Sequence, residues 1–329
     1  MKRSLATMGG LLAVAGLLIA GCSKEGLNGT ADLTQTPPAG VTNETQAMQS
    51  LAMTDAFVQN DELTFADQAV QPMDYGTFGK IDAALMPLRW GRFITGVTKT
   101  VTTTVQGDTL AFTHVAKVVT GTLKIKGITG VGDTVTISKA FTDTSGRNII
   151  FKRVAKNPKK FWMNWEPVAS SLVAGGTFPV PAGNQISIVK VEFFLPQGDT
   201  ITVTDPTGYY LRYRWHGFFK GGRKDLPELI SGNAVRVRAT VVSASADTDI
   251  VAFRYGYDLF NHNRRQRMAM VSEVNNGNNT FTREYESSWM VHFHHGYFNA
   301  GIDALTRATL YDDAAPYSVS WWGVPYRVN

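Results

Sequence analysis

The chain begins its patterned region with apolar residues at helical spacing and continues with alternating ones. Residues 43–67 carry the helical pattern. Asn43 can cap this helix, with Gln46 three residues later as in a capping box. A second start at residues 60–62 predicts a short helix through Phe65. The mostly apolar stripe of the main helix consists of Met48, Leu51, Ala52, Ala56 and Gln59.

From Phe93 the pattern changes to one typical of strands. Thr and Val dominate residues 93–126, and the turn residues 106–108 separate two alternating runs, which predicts a hairpin. Residues 130–133 form another predicted turn. Residues 156–160 are a basic turn that we expect to be exposed. Further predicted strands are 134–141, 149–154 and the aromatic run 161–165.

Beyond residue 173 no helical pattern of any length remains. Gly and Pro at 173–181 predict a domain boundary, and Asn276–Gly277 suits a tight hairpin turn. Many short strands with regular turns predict a β-sandwich. The predicted strands are 186–195, 200–204, 209–216, 234–243, 250–257, 267–274, 280–285, 289–294, 298–310 and 318–328.

Composition limits the class of protein without naming its activity. The chain has 329 residues, 43% hydrophobic and 18% charged, which suits globular packing over most of its length. One cysteine excludes an internal disulfide framework and a thiolate-rich metal cluster. No apolar run reaches the roughly 18 residues of a spanning helix.

The first 22 residues carry the most specific signal. Lys2 and Arg3 precede ten apolar or small residues at 11–20, and Ile19–Ala20–Gly21 precede the lone Cys22. This pattern resembles the bacterial lipoprotein box. The resemblance implies that residues 1–21 are a signal peptide and that Cys22 is lipidated and becomes the mature N-terminus. An ordinary secretory signal is the alternative.

Lipidation would tether the body to the bilayer, because two or three acyl chains hold a protein stably. Residues 22–42 are rich in Gly, Pro and Thr and predict a flexible spacer, roughly 25 Å long on average. Ser23 after the cysteine implies sorting to the outer membrane of the bacterial envelope. Loss of Lys2 and Arg3 leaves 30 basic against 27 acidic residues, too mild an excess to indicate a nucleic-acid partner.

Two fold resemblances follow from the order of the elements. A helix followed by long hairpins at 43–172 resembles the NTF2-like α+β fold, although an antiparallel sheet with a covering helix fits almost as well. Residues 173–329 resemble an immunoglobulin-like sandwich, on the pattern Gly296-x-Phe298-x-Ala300. Phe298 and Ala300 replace that family's usual Tyr and Cys. The fold class expected is therefore mostly β, an α+β domain followed by an immunoglobulin-like β-sandwich.

Arginines interleaved with aromatic residues suggest a binding patch. Alternation along 209–216 predicts a strand with Tyr210, Arg212 and Arg214 on one face and Trp215 on the other, and a second basic loop follows at 263–267. Such groups bind phosphate, carboxylate or sugar faces through forked hydrogen bonds and stacking. The alternative is a half-buried strand with a solvated arginine face. The candidate binding residues are Tyr210, Arg212, Arg214, Trp215, Arg264 and Arg265.

A histidine pair suggests a metal site. His292 and His294 lie two apart on a predicted strand and would share one face, within reach of one Zn²⁺. Alternatively the pair lies on the polar face of a sheet, with Val291 and Phe293 buried. Asp247 with Asp249 is a weaker candidate pair, for Ca²⁺. The possible third zinc ligands are His216, His262 and Asp258.

The sequence lacks the common catalytic signatures. It has no Gly-x-Ser-x-Gly elbow, no His-Glu-x-x-His and no phosphate-binding loop. We therefore expect a non-enzymatic binding, adhesion or assembly module without a cofactor. Its expected partners are the lipid bilayer through Cys22 and an envelope glycan or protein. The alternative is a tethered metal-dependent hydrolase that uses His292 and His294; the sequence does not indicate the oligomeric state.

Overall fold

The computed structural model describes residues 37–67, 71–72, 85–213, 223–224, 226–257 and 264–329. Within these ranges, helices α1–α3 span Glu44–Thr54, Ala56–Asn60 and Arg307–Tyr311, and two 3₁₀ turns span Asp61–Thr64 and Pro158–Met163. No helix among the described residues combines the length and the apolar character needed to cross a membrane.

Strands make up most of the described chain. In order, β1–β18 span Gln71–Pro72, Leu85–Gln106, Leu110–Thr129, Thr134–Arg153, Trp165–Ser171, Val173–Thr177, Ile186–Phe194, Thr200–Val203, Tyr210–Tyr213, Arg223–Lys224, Glu228–Leu229, Ala234–Ser243, Ile250–Tyr257, Arg264–Arg267, Ala269–Asn275, Phe281–Met290, Gly296–Leu305 and Val319–Val328. The expectation of a mostly β fold is confirmed.

The N-terminal helix region is shorter and more broken than its periodicity predicts. Asn43 caps α1 as predicted, because its Oδ1 accepts a hydrogen bond from the Gln46 amide at 2.9 Å. Gln46 bonds to the Thr42 amide at 2.7 Å. Asp55 ends α1 with an extended backbone, and its side chain caps α2 by accepting from Phe57 N and Val58 N. The helical pattern therefore forms two helices and a 3₁₀ turn.

Long hairpins form where the alternating Thr and Val pattern predicts them. Strands β2 and β3 pair without interruption up to Gln106 and Leu110, apart from two bulges, and β4 pairs along the other edge of β3. Gly107 at the predicted turn has a φ of +61°, which glycine adopts without a Cβ penalty. One face of β3 is buried beneath α1 and α2, with Ala111 and Val115 in that core.

The strands form two sheets, and the larger one runs through both predicted domains. Thirteen strands form this sheet, along the main path β1-β2-β3-β4-β6-β18-β17-β13-β14, while the other sheet is β15-β16-β12-β7-β8. Most neighbours are antiparallel; β11 and β18 are parallel. The boundary expected after residue 172 falls between β5 and β6, which both pair with β4. Strand pairing is thus continuous across that position.

The centre of the large sheet is buried on both faces. Every residue but one in β18, and the last eight of β17, are buried. Trp322 and Ile302 belong to the core shared with the five-stranded sheet, whereas Trp321 and Leu305 belong to the core on the opposite face. Because successive residues of a strand point to opposite faces, a strand covered on both sides reads as a continuous apolar run.

Some predicted strands differ from the structure, beginning with those at 134–141 and 149–154, which form the single strand β4. The predicted strand at 161–165 is largely a 3₁₀ turn, because Pro158 starts it and the Asn157 side chain accepts from the two amides that follow. The predicted strand at 298–310 ends at Leu305 and is followed by α3, where Thr309 Oγ1 donates to the carbonyl of Ser318. The predicted strand at 289–294 ends at Met290.

Gly175 tests the packing of the sheet against Trp321. A Cβ at Gly175 would collide with the Trp321 ring and lie 2.8 Å from the Thr144 carbonyl oxygen. We expect Gly175→Ala to lower the free energy of unfolding by about 1–3 kcal/mol, because overpacking displaces side chains or backbone. Gly130→Ala is the control, since nothing lies within 4 Å of its Cβ position. Denaturant unfolding measures both, and equal stability of the two variants would contradict this packing.

Candidate functional site

The residues of the predicted binding patch lie on two strands that are far apart in the sheet. Tyr210 is half-buried and Arg212 is exposed on β9, which pairs with β5 and β10. Arg264 is exposed on β14, at the end of the main path beyond β13. Strand pairing therefore does not bring the two halves together. Arg214 and Trp215 lie outside the described residues.

Arg265 lies on strand β14 with its side chain buried, rather than exposed in a basic loop. Its guanidinium carbon lies 3.6 Å from the centre of the Trp90 ring, and Nη2 donates to the carbonyl oxygens of Gln71 at 3.1 Å and Trp90 at 3.0 Å. Burial lowers the pKa of Arg265 to about 9, although the Asp67 carboxylate partly offsets it. Through these bonds Arg265 links β14 to β1 and β2, so that the large sheet is nearly closed.

The histidine pair lies in the loop between β16 and β17, not on a strand. The rings of His292 and His294 are centred 6.1 Å apart. His292 is bonded to the Tyr326 hydroxyl at 3.1 Å and packs edge-on against Phe298, whereas His294 is exposed. Of the two residues that the alternative expects to be buried, Val291 is buried but Phe293 is 80% exposed.

Metal binding by these histidines stays a prediction. Among the described residues, no group of three or more His, Cys, Asp or Glu is arranged to hold a metal ion. The proposed third ligands, His216, His262 and Asp258, lie outside the described part of the chain. Asp249, the weaker calcium candidate, is buried and accepts from Arg283 Nη1 at 2.8 Å and from the Ser243 hydroxyl at 2.8 Å. Its carboxylate is therefore held within the fold.

A buried ion network joins the start of β2 to the central strands. Arg92 Nη2 donates to Asp303 on β17, and Arg254 Nε on β13 donates to the same carboxylate oxygen at 3.2 Å. Arg254 also contacts both oxygens of Asp67, at 2.8 and 3.3 Å. The Asp67 carboxylate accepts the Arg92 amide at 2.9 Å. These four side chains are at most 1% exposed.

Asp143 extends this network through Tyr317. The Tyr317 hydroxyl donates to Asp143 Oδ2 at 3.1 Å and accepts from Arg92 Nη1 at 3.2 Å. Burial raises the pKa of Asp143 to about 7, and the nearby Arg92 only partly offsets it. Burial also acts to raise the pKa of Asp67, but Arg254 and Arg265 outweigh it and keep that pKa below its usual value. The network therefore contains one buried carboxyl group with a raised pKa, that of Asp143, and one with a lowered pKa, that of Asp67.

A second buried cluster fixes the helical region to the hairpins. Arg147 on β4 contacts Asp61 through Nε at 3.1 Å and Nη2 at 2.5 Å. Lys117 on β3 bonds to Glu62 and to the Val58 carbonyl oxygen. Buried charges are stable only when paired in this way. The pairs hold α2 and the first 3₁₀ turn against the inner face of the hairpins.

A basic turn lies at the end of the body where α1 begins, which we call the N-terminal end of the body. Side chains next to this turn are bonded to the first residue of α1. We call residues 156–160 the lysine turn. Glu44, the first residue of α1, accepts from Asn164 Nδ2 at 2.6 Å and Trp165 Nε1 at 2.7 Å. It also pairs with Arg153 Nη2 at 2.8 Å. Burial acts to raise the pKa of Glu44, but the bonds to Trp165, Asn164 and Arg153 keep it lowered.

The structural class defined by these features is a two-sheet antiparallel β body with a nearly closed large sheet and ion networks buried on its inner face. Comparison of the chain with protein-family models, with curated proteins and with solved structures finds no match in any of the three.

Asp303 tests whether the buried network stabilises the fold. We expect Asp303→Asn to cost about 3–5 kcal/mol of unfolding free energy, because Arg92 and Arg254 would lose their shared anion inside the protein. Asp108→Asn is the control: its pair with Lys156 is exposed and should contribute little. Denaturant unfolding of both variants tests this, and an Asp303→Asn variant as stable as the control would contradict it.

The raised pKa of Asp143 predicts that part of the free energy of unfolding depends on pH. The native carboxyl holds its proton up to a pH of about 7, whereas the unfolded one releases it near its ordinary pKa of 3.8. Its contribution is therefore complete below the lower value and is lost as the pH rises through the upper one. Relative to Asp143→Asn, the free energy of unfolding of the wild type should fall as the pH rises across this window. The fall should be about 1.4 kcal/mol for each unit by which the pKa of Asp143 is raised on folding.

Thermal or denaturant unfolding of the wild type and Asp143→Asn across this pH window measures the difference. Asp133→Asn, at the exposed turn between β3 and β4, controls for the change of residue type. A stability difference between the wild type and Asp143→Asn that does not change with pH would show that Asp143 does not titrate in this range.

Proposed function

We propose that this chain is a lipid-anchored protein of the bacterial envelope whose β body acts as a non-enzymatic binding, adhesion or assembly module. The observation that carries the proposal is the sequence Ile19–Ala20–Gly21 before the lone Cys22, after a charged start and an apolar core. Ser23 supports the outer membrane as the destination. The short polar segment 23–42 supports a tether, since it offers few side chains to a core.

For the C-terminal half, we further propose an immunoglobulin-like arrangement. It is supported by the packing of the five-stranded sheet on β18, β17 and β13 around one shared core. Phe298 and Ala300 lie in that core, at the positions that carried the resemblance. For residues 43–172, the NTF2-like proposal is supported by α1 and α2, which cover the inner face of long hairpins.

A binding role fits the exposed arginines better than catalysis fits the histidines. Arg212 and Arg264 are exposed and remain candidates for contact with an envelope glycan or protein. The alternative hydrolase needs a third ligand beside His292 and His294, and no observation in the described residues favours one.

The lipid anchor is tested by Cys22→Ser in a bacterial host with two membranes. We expect the wild type to incorporate a fatty-acid label and to sediment with the envelope. Cys22→Ser should lose both properties, because no other cysteine can take the thioether-linked lipid. Ser23→Thr is the matched control and should behave as the wild type. Mass spectrometry that finds an unmodified Cys22 thiol in the wild-type protein would overturn the proposal.

A further inference from the structure

We propose that the N-terminal end of the β body docks on a membrane surface rich in anionic lipid headgroups, with the lysine turn facing the bilayer. This docking rests on the lipid anchor at Cys22 proposed above. It adds an orientation: the anchored body lies against the bilayer by one defined end instead of hanging free from its tether. The position, rigidity, charge and apolar character of the lysine turn and its neighbours support it.

The lysine turn lies where the tether joins the body. The predicted tether ends at residue 42, and α1 begins two residues later at Glu44. Glu44 is bonded directly to Asn164 and Trp165, which follow the lysine turn. A tether of roughly 25 Å average length would keep this end close to the membrane in which its lipid is inserted. The turn therefore meets the bilayer at a high effective concentration.

Hydrogen bonds hold the lysine turn in one conformation. Asn157 Oδ1 accepts from the amides of Lys159 at 2.9 Å and Lys160 at 3.2 Å. Asn164 Oδ1 accepts from the Asn157 amide at 2.8 Å, and Asn164 Nδ2 donates back to the Asn157 carbonyl at 3.3 Å. The backbone that carries the lysines is thus pre-organised, which lowers the entropy lost when they contact a surface.

The charge of this end complements anionic headgroups. Lys159 and Lys160 are exposed, and neither forms an ion pair within the described residues. Lys156 is 66% exposed and pairs with Asp108 at 2.8 Å. Five basic residues against three acidic ones give this end a net charge of +2. They are Lys152, Arg153, Lys156, Lys159 and Lys160 against Glu44, Asp108 and Glu166.

Apolar and aromatic groups surround the lysines, as expected at a membrane interface. Phe161 and Trp162 follow the turn directly, with ring centres 5.3 Å apart in an edge-to-face arrangement, and both are partly exposed. Val154 is 49% exposed, Val105 44% and Leu110 37%. Aromatic rings and lysines together favour the headgroup region, where rings contact acyl chains and ammonium groups contact phosphate. This mixture favours lipid over a soluble anion.

The opposite end of the same hairpins offers a natural comparison. The strands run from Leu110 and Lys152, near the lysine turn, to Ile128 and Thr134 at the far end. The turn between β3 and β4 exposes Val131 by 85%. Two exposed valines at opposite ends of one hairpin pair, Val154 and Val131, therefore serve as matched label positions.

The experiment places the lipidated protein in vesicles and measures how close each end lies to the lipid. Val154→Cys and Val131→Cys each introduce the one free thiol of an acylated chain, which takes a fluorescent label. The vesicles contain phosphatidylcholine with phosphatidylglycerol, or phosphatidylcholine alone, with a quencher attached to the headgroup. We expect severalfold stronger quenching at position 154 than at position 131 in the anionic vesicles, and a clearly smaller difference in the neutral ones, where the tether alone holds this end near the lipid.

The lysines are tested by Lys159→Gln with Lys160→Gln in the Val154→Cys chain. We expect this exposed double change to lower quenching at position 154 in anionic vesicles to the level that the same position shows in neutral vesicles. Equal quenching of the two label positions, or a difference unaffected by the lysine changes, would overturn the docking while leaving the anchor intact. A wild-type chain that does not float with the vesicles would overturn the anchor and, with it, the docking.

Discussion

The buried pairing of Arg92 and Arg254 with Asp67 and Asp303 is the constraint on which the rest of the structure depends. A charge removed from water is tolerated only where partners replace its hydration, so these groups must come together when the protein folds. They come from the segment before β1, from β2, and from the adjacent strands β13 and β17. The network therefore couples the N-terminal hairpins to the C-terminal sheets, and Arg265 adds a link between the two edges of the large sheet.

That coupling joins the two halves of the described chain through buried ion pairs. Both faces of β17 and β18 are covered, so the apolar residues there serve packing rather than recognition. Exposed arginines on β9 and β14, and the lysine turn beside Glu44, lie outside this covered centre. A tethered protein with a defined orientation would present the first two in a fixed direction relative to the membrane.

Local patterns predicted the hairpins well, and long-range pairing could not be derived from them. The Thr and Val alternation and the turn at 106–108 define β2 and β3, because period and turn chemistry are local. The short α3 was missed because its stabilising bonds join Thr309 to Ser318. The Gly and Pro cluster after residue 172 suggested a boundary, yet β4 pairs on both sides of it. Charged residues at inward positions of alternating strands, such as Arg92, were the available signal for the buried network.

Hydrogen exchange measured by mass spectrometry under native conditions tests most directly whether the buried network makes one folding unit. Peptides from 111–125 in the hairpin and from 235–241 in the five-stranded sheet report on the two halves. The account predicts that their slowest amides exchange with the same free energy of opening, equal to that of global unfolding. A hairpin that opens at a clearly lower free energy, while the C-terminal strands stay protected, would show that the network does not join them.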